Sequence, residues 1–182
     1  MFSPERVRLL VAVAMLSSAA CAADALAADR AGPGLGEAVD ADTLAAASLT
    51  VYPDGAGLPP GRGDARAGAV VYAAHCLACH GPGGRGGVND ALVGGHDTLA
   101  GAAPQRTVGS FWPYATTVFD YVRRAMPYPA PGSLSTDQVY AVTAYLLAEH
   151  GIIDADTVLD AETLPAVVMP NRDGFLLSPR RP

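Results

Sequence analysis

Cys76, Cys79 and His80, in the run AAHCLACHGPG at 73–83, place two thiols and an imidazole within five consecutive positions. Such a trio can serve a zinc site, a redox thiol pair, or a porphyrin tethered by thioethers with the imidazole on its iron. A closed zinc site usually draws four ligands from two pairs. This chain has no second CxxC, and its other histidines, His75, His96 and His150, stand singly along it. A thioredoxin-like pair needs a preceding strand in a βαβ setting, whereas ARAGAVVYAAHC reads as a helix. The haem reading uses every position. Thiols one helical turn apart each meet a vinyl group, and the histidine after the second thiol reaches the iron.

One face of such an iron is then filled by His80, and the other face decides the chemistry. A thioether there stabilises ferrous iron and suits electron transfer, whereas an open face would admit oxygen or peroxide. Met126, Met169 and His96 compete for it. Met126 is favoured, because RRAMPYPAPG holds it in a proline-rich loop, where Pro127, Pro129 and Pro131 keep the backbone out of a helix. Met169 reads as core filler, and His96, in VGGHDT, as an exposed loop residue. His80 is expected to donate its other ring nitrogen to a backbone carbonyl of DALVGG. Tyr72 should pack near the haem. Trp112 and Tyr114 are candidates to hydrogen-bond a propionate, and Arg106 to pair with one. Gly81, Gly83 and Gly86 fit G-x-G-x-x-G formally, but they follow no strand and open no helix, so a loop over a flat ligand is the better reading.

The elements that must position these groups are helical. A first helix is expected over about 64–77 and a second over about 115–125, the latter stopped by Pro127 acting on Met126. A third opens at Ser135, with Gln138 completing a capping box, and stops at Gly151. Residues 81–113 read as Gly-rich loop, and no strand period is evident. The expected fold is all-α, with about three main helices around one haem in a domain over 64–151. An extended arm over 28–63, rich in Ala, Gly, Pro and Asp, would precede it, and a tail over 152–182 would wrap the domain or reach a partner.

The bulk properties agree with a small exported domain. The chain has 182 residues and a formal net charge of −6, which excludes a nucleic-acid binder relying on a basic patch. All its basic residues are arginines, so it cannot dock through a ring of lysines. Residues 1–27 read as an export signal: Arg6 and Arg8, an apolar run too short to span a bilayer, then ALA ending at Ala27. Its removal subtracts two acids and two bases and leaves the charge unchanged. Cys21 is then lost with the signal, or, if cleavage falls before it, becomes a lipidated N-terminus anchoring an otherwise periplasmic protein. After cleavage at Ala27 the two remaining cysteines lie too close in sequence for a disulfide framework.

The pair Gly68 and Tyr72, one turn apart ahead of the CxxCH, resembles the first helix of class I c-type cytochromes. The run TVGSFWPYATTVFDYVRRAMPYPAPGSLSTDQVYAVTAYLLAEHGII at 107–153 is more specific. It is similar to the cytochrome subunit of bacterial sulfite dehydrogenases, including the sulfane dehydrogenase of the thiosulfate-oxidising Sox system. YPDGAGLPPGRG upstream and LPAVVMPNRDGF downstream extend the resemblance over nearly all of 50–177. It implies His80 and Met126 as iron ligands and a role as an electron wire. A molybdenum subunit would oxidise a sulfur compound, and the haem would pass electrons to another cytochrome. No thiolate would remain here for molybdenum, so the substrate chemistry would belong to the partner. Some members of that family carry two haem motifs, and this chain has one. A cytochrome subunit of another periplasmic dehydrogenase, or an open-face haem enzyme or sensor, are the competing expectations.

Overall fold

The chain's structure, a computed structural model, describes residues 36–176. The expected export signal, Cys21 and the first residues of the arm lie outside the described residues. The chain divides into a unit ending at Leu44 and a unit beginning at Ala45. In the first, Asp40 caps the start of helix α1 (Ala41–Ala47), its carboxylate accepting the Thr43 N–H at 2.8 Å. A helix therefore stands where an extended arm was expected: ADTLAAA has a cap, an acid in the first turn and four alanines, all of which favour helix.

The second unit is built on three main helices, α2 (Ala65–His75), α5 (Ala115–Ala125) and α6 (Thr136–Glu149). Between α2 and α5 lie two one-turn helices, α3 (Leu77–His80) and α4 (Val108–Phe111). Asp64 starts α2 by accepting the Ala67 N–H at 2.9 Å. Its buried positions, Ala65, Gly68, Val71 and Tyr72, recur at helical spacing and face α6. The helix breaks at Cys76, short of the expected end near 77, and α3 resumes one residue later.

Helix α5 ends where expected. Pro127 denies helical geometry to Met126, whose backbone is extended (φ −121°, ψ 147°). Helix α6 opens with the capping box: Ser135 accepts the Gln138 N–H, and Gln138 Oε1 accepts the Ser135 N–H at 2.8 Å. Eight of its residues from Val139 to Leu147 are buried, so it is apolar almost all round. That is the signature of a central helix, and α2, α4, α5 and two short strands all pack on it. Gly151, with φ of 68°, follows the His150 cap in the left-handed conformation that stops the helix.

Two features escaped the sequence pattern. Strands β1 (Arg62–Gly63) and β2 (Leu159–Asp160) pair antiparallel, Arg62 opposite Asp160. Each is two residues long, too short to show a period. The later part of the arm also contributes to the core: Val51 is buried, its N–H donates to Asp120 Oδ1 at 3.0 Å, and the Pro59 carbonyl accepts from Tyr140 at 3.0 Å. In the tail, Leu159, Leu164 and Met169 are fully buried in the same core.

Candidate functional site

Helix α2 delivers the first thiol and α3 the rest of the motif. Cys76 stands at the break, its N–H bonded to the Tyr72 carbonyl at 2.8 Å. Cys79 and His80 follow on α3, and both cysteines are half-buried, unbridged thiols. Burial, and next the neighbouring Cys79, pushes the Cys76 thiol up to about 11. It is therefore a neutral thiol at neutral pH and a poor match to a low-pKa redox cysteine.

His80 Nδ1 lies 2.9 Å from the Asp90 carbonyl. Nδ1 donates, because a carbonyl can only accept, and Nε2 is left with its lone pair for a metal. Asp90 is the first residue of DALVGG, the segment expected to supply this carbonyl. Its position is fixed from both sides. The Asn89 N–H donates to Cys79 O at 2.9 Å, and the Leu92 and Val93 N–H groups share the Gly84 carbonyl at 2.7 and 2.9 Å. The motif thus folds its own loop back onto its histidine.

Tyr72 is buried behind this turn. Its hydroxyl donates to Gly81 O at 2.8 Å, and its ring stacks, tilted, on Tyr145 at 4.9 Å. Burial, then the nearby Cys76 and Tyr145, raises its phenol to about 12. His75 is exposed on α2, as expected.

The two methionines differ. Met126 is half-buried on extended backbone directly after α5, its N–H bonded to Val122 O at 3.1 Å. Met169 is 1% exposed within the main apolar cluster, the surroundings of a core residue. The remaining expected haem neighbours each have a protein partner. Trp112 stands edge-on to Tyr121 at 5.6 Å, the Arg172 guanidinium lies 4.4 Å over Tyr114, and exposed Arg106 lies 5.2 Å from the Phe111 ring.

His96 and His150 are not isolated, contrary to their separation in sequence. His96 Nε2 lies 3.3 Å from His150 Nδ1, and both line a cavity of about 550 Å³ together with Met169, Asn171 and Arg172. Nothing in the sequence marks this pairing, since it joins a loop to a helix end across 54 positions. Cys76, Cys79, His80 and Met126 do not line that cavity. Among the described residues no group of three or more His, Cys, Asp or Glu could hold a metal ion. None of the described helices is long and apolar enough to cross a membrane.

The donor set fits covalently held haem. Two unbridged thiols stand three positions apart, the adjacent imidazole has its outer nitrogen satisfied, and a thioether sits on extended backbone before the last helix.

Comparison with known proteins points the same way. The family model described as cytochrome c matches residues 65–148. Among solved structures, the sulfane dehydrogenase SoxCD from Paracoccus pantotrophus is similar to this chain. The match has 41% identity and a TM-score of 0.76, and covers 81% of this chain and 73% of that one. Among curated protein sequences no match is found.

Proposed function

This chain belongs to the cytochrome c family and has its mostly helical fold, and on that premise we propose that it is an exported monohaem electron-transfer subunit. In this reading Cys76 and Cys79 would hold the haem through thioether bonds to its vinyl groups, and His80 and Met126 would supply the imidazole and thioether that bind its iron. The haem supplies a one-electron ferric/ferrous couple. The protein's part is to hold and tune it. Asp90 orients His80 and raises its basicity through the Nδ1 hydrogen bond. The extended backbone at Met126 leaves its thioether free of helix packing. Tyr72, Trp112, Tyr114 and Arg106 form the wider surroundings.

The electron donor in this proposal is a molybdenum-containing sulfite or sulfane dehydrogenase subunit, and the acceptor is another cytochrome. The similarity to a sulfane dehydrogenase supports the donor. Residues 1–27 would direct export to the periplasm. Arg123 and Arg124 are less free for docking than their sequence suggests: Arg124 bonds Asp120 on its own helix, and Arg123 reaches the Leu49 carbonyl at 3.5 Å.

The observation that carries the reading is the His80 to Asp90 hydrogen bond, which fixes an imidazole one residue beyond a CxxC with its inner nitrogen bare. The test is expression with c-type maturation machinery. A denaturation-resistant haem, one per chain, lost from a Cys76→Ser Cys79→Ser double variant, is expected; a colourless protein with two free thiols overturns the proposal. Copurification with a molybdenum subunit active on sulfite or sulfane is expected for the partner, and a flavin or quinone subunit in its place overturns the sulfur assignment. Carbon monoxide should not bind rapidly to the reduced wild type, and stoichiometric binding at neutral pH would convert the wire into an open-face haem protein.

A further inference from the structure

His150 ties together three parts of the chain that are distant in sequence. It caps the C-terminus of α6 and is buried. Its Nε2 lies 3.1 Å from the Gly109 nitrogen and 3.0 Å from the Leu92 carbonyl, while Nδ1 faces His96 at 3.3 Å. A Cβ at position 109 would run into the imidazole ring, so only glycine lets the ring approach the start of α4 this closely.

The donors decide the tautomer. The Leu92 carbonyl already accepts from the Val108 N–H at 3.0 Å. The Gly109 N–H lies in the first turn of α4 and has no intrahelical acceptor. A neutral ring that is bare at Nε2 accepts from Gly109 and directs Nδ1–H toward His96, so no donor is left unpaired, while Nε2 and the Leu92 oxygen meet as two acceptors 3.0 Å apart. A metal bridging the two rings would need Nδ1 bare and would strand the Gly109 donor, which argues against a two-histidine metal site.

Leu92 is two residues from Asp90. We propose that His150 is a positioning residue for His80: by fixing Gly109, and through Val108 the Leu92 carbonyl, against the end of α6, it holds the segment from which Asp90 reaches the iron-binding imidazole. This rests on the reading of His80 as an iron ligand. The clamp is proton-sensitive by construction. A second proton on Nε2 would turn the acceptor into a donor, leaving the Gly109 N–H unpaired and competing with the Val108 N–H for the Leu92 carbonyl 3.0 Å away. Burial, more than any neighbour, holds the His150 pKa below its ordinary value. The charged and titratable groups facing it are His96, Arg85 and Glu149, with Arg172 and Asp173 across the shared cavity.

The test compares the wild-type holoprotein with His150→Ala and His150→Gln, reading the reduction potential against pH and the hydrogen exchange of the Val108 and Gly109 amides. Loss of the clamp weakens the carbonyl bond to His80, makes that ligand less basic and disfavours ferric iron. His150→Ala is therefore expected to raise the potential and to speed exchange of both amides by about tenfold or more. His150→Gln carries an acceptor and a donor at the end of its side chain. It should restore exchange and potential at neutral pH while abolishing the acid-side rise in potential expected of the wild type. A His150→Ala protein with wild-type potential and exchange overturns the clamp. So does a His150→Gln protein that keeps the acid-side rise, an outcome readable even if the alanine variant does not fold. Absence of a low-spin haem spectrum in the wild type would instead sink the assignment of His80.

Discussion

Gly68 lies flush against the Ala141 carbonyl where α2 crosses α6, and a Cβ there would collide with that carbonyl and with the Tyr145 side chain. In an open helix interior, alanine in place of glycine gains about 1 kcal/mol. At this crossing the collision is with backbone, which cannot step aside, so overpacking dominates. Gly68→Ala is expected to lower stability by about 1–3 kcal/mol, measured as a fall in the denaturant midpoint of the holoprotein. An unchanged or raised midpoint would mean that the two helices are not in contact at this point.

Asp120 is buried on α5 and accepts from both the Val51 N–H and Arg124 Nε, the latter at 3.0–3.1 Å. The Arg124 side chain is about half exposed (48%), so the ion pair alone is worth little. The Val51 N–H is buried and would be stranded. Asp120→Ala should therefore cost about 2–3 kcal/mol, and Arg124→Ala under about 1 kcal/mol. Equal effects of the two variants in chemical denaturation would refute this division.

The lowered pKa of His150 fixes the sign of a pH effect. Its unfolded value is near 6.5, and burial depresses the folded one. Below 6.5 the unfolded chain binds a proton that the folded chain does not, so stability should fall as pH drops from 6.5 toward the folded value and be level above it. His150→Gln should flatten that part of the curve. Thermal midpoints between neutral pH and pH 5 would check it, and identical slopes in the two proteins would contradict it.

Met126→Ala should abolish the sulfur-to-iron charge-transfer band of the ferric protein and open the reduced iron to carbon monoxide, with stability little changed because the side chain is only half-buried. Met169→Ala should do the reverse. Met169 is 1% exposed in the core, so its truncation should cost about 2–5 kcal/mol and leave the band in place. If the band vanishes in the Met169 variant instead, the assignment of the thioether is inverted.

The parts of this protein that were legible in its sequence are those written in local chemistry. Ser135 with Gln138, Pro127 and Gly151 begin and end helices through their immediate neighbours, and their helices lie close to where those residues place them. The CxxCH needs no tertiary partner to be recognised, and even the carbonyl facing His80 lay within the expected segment. Long-range pairings were opaque. His96 and His150 meet because α6 ends beside the loop before α4, and Val51 is buried because Asp120 offers its N–H an acceptor. Helix α4 was missed within a Gly-rich loop because it is a single turn, although Thr107 and Ser110 form a capping box around it.

The pairing of Arg62 with Asp160 stitches the arm to the tail between two deeper anchors, since Val51 upstream and Met169 downstream are both buried in the helical core. Tension on either flank would therefore be borne first by those buried anchors, and would reach the paired strands only after one of them had let go. A neighbour tugging on the residues before Val51 or after Met169 would thus leave the paired strands and the helices between those anchors undisturbed.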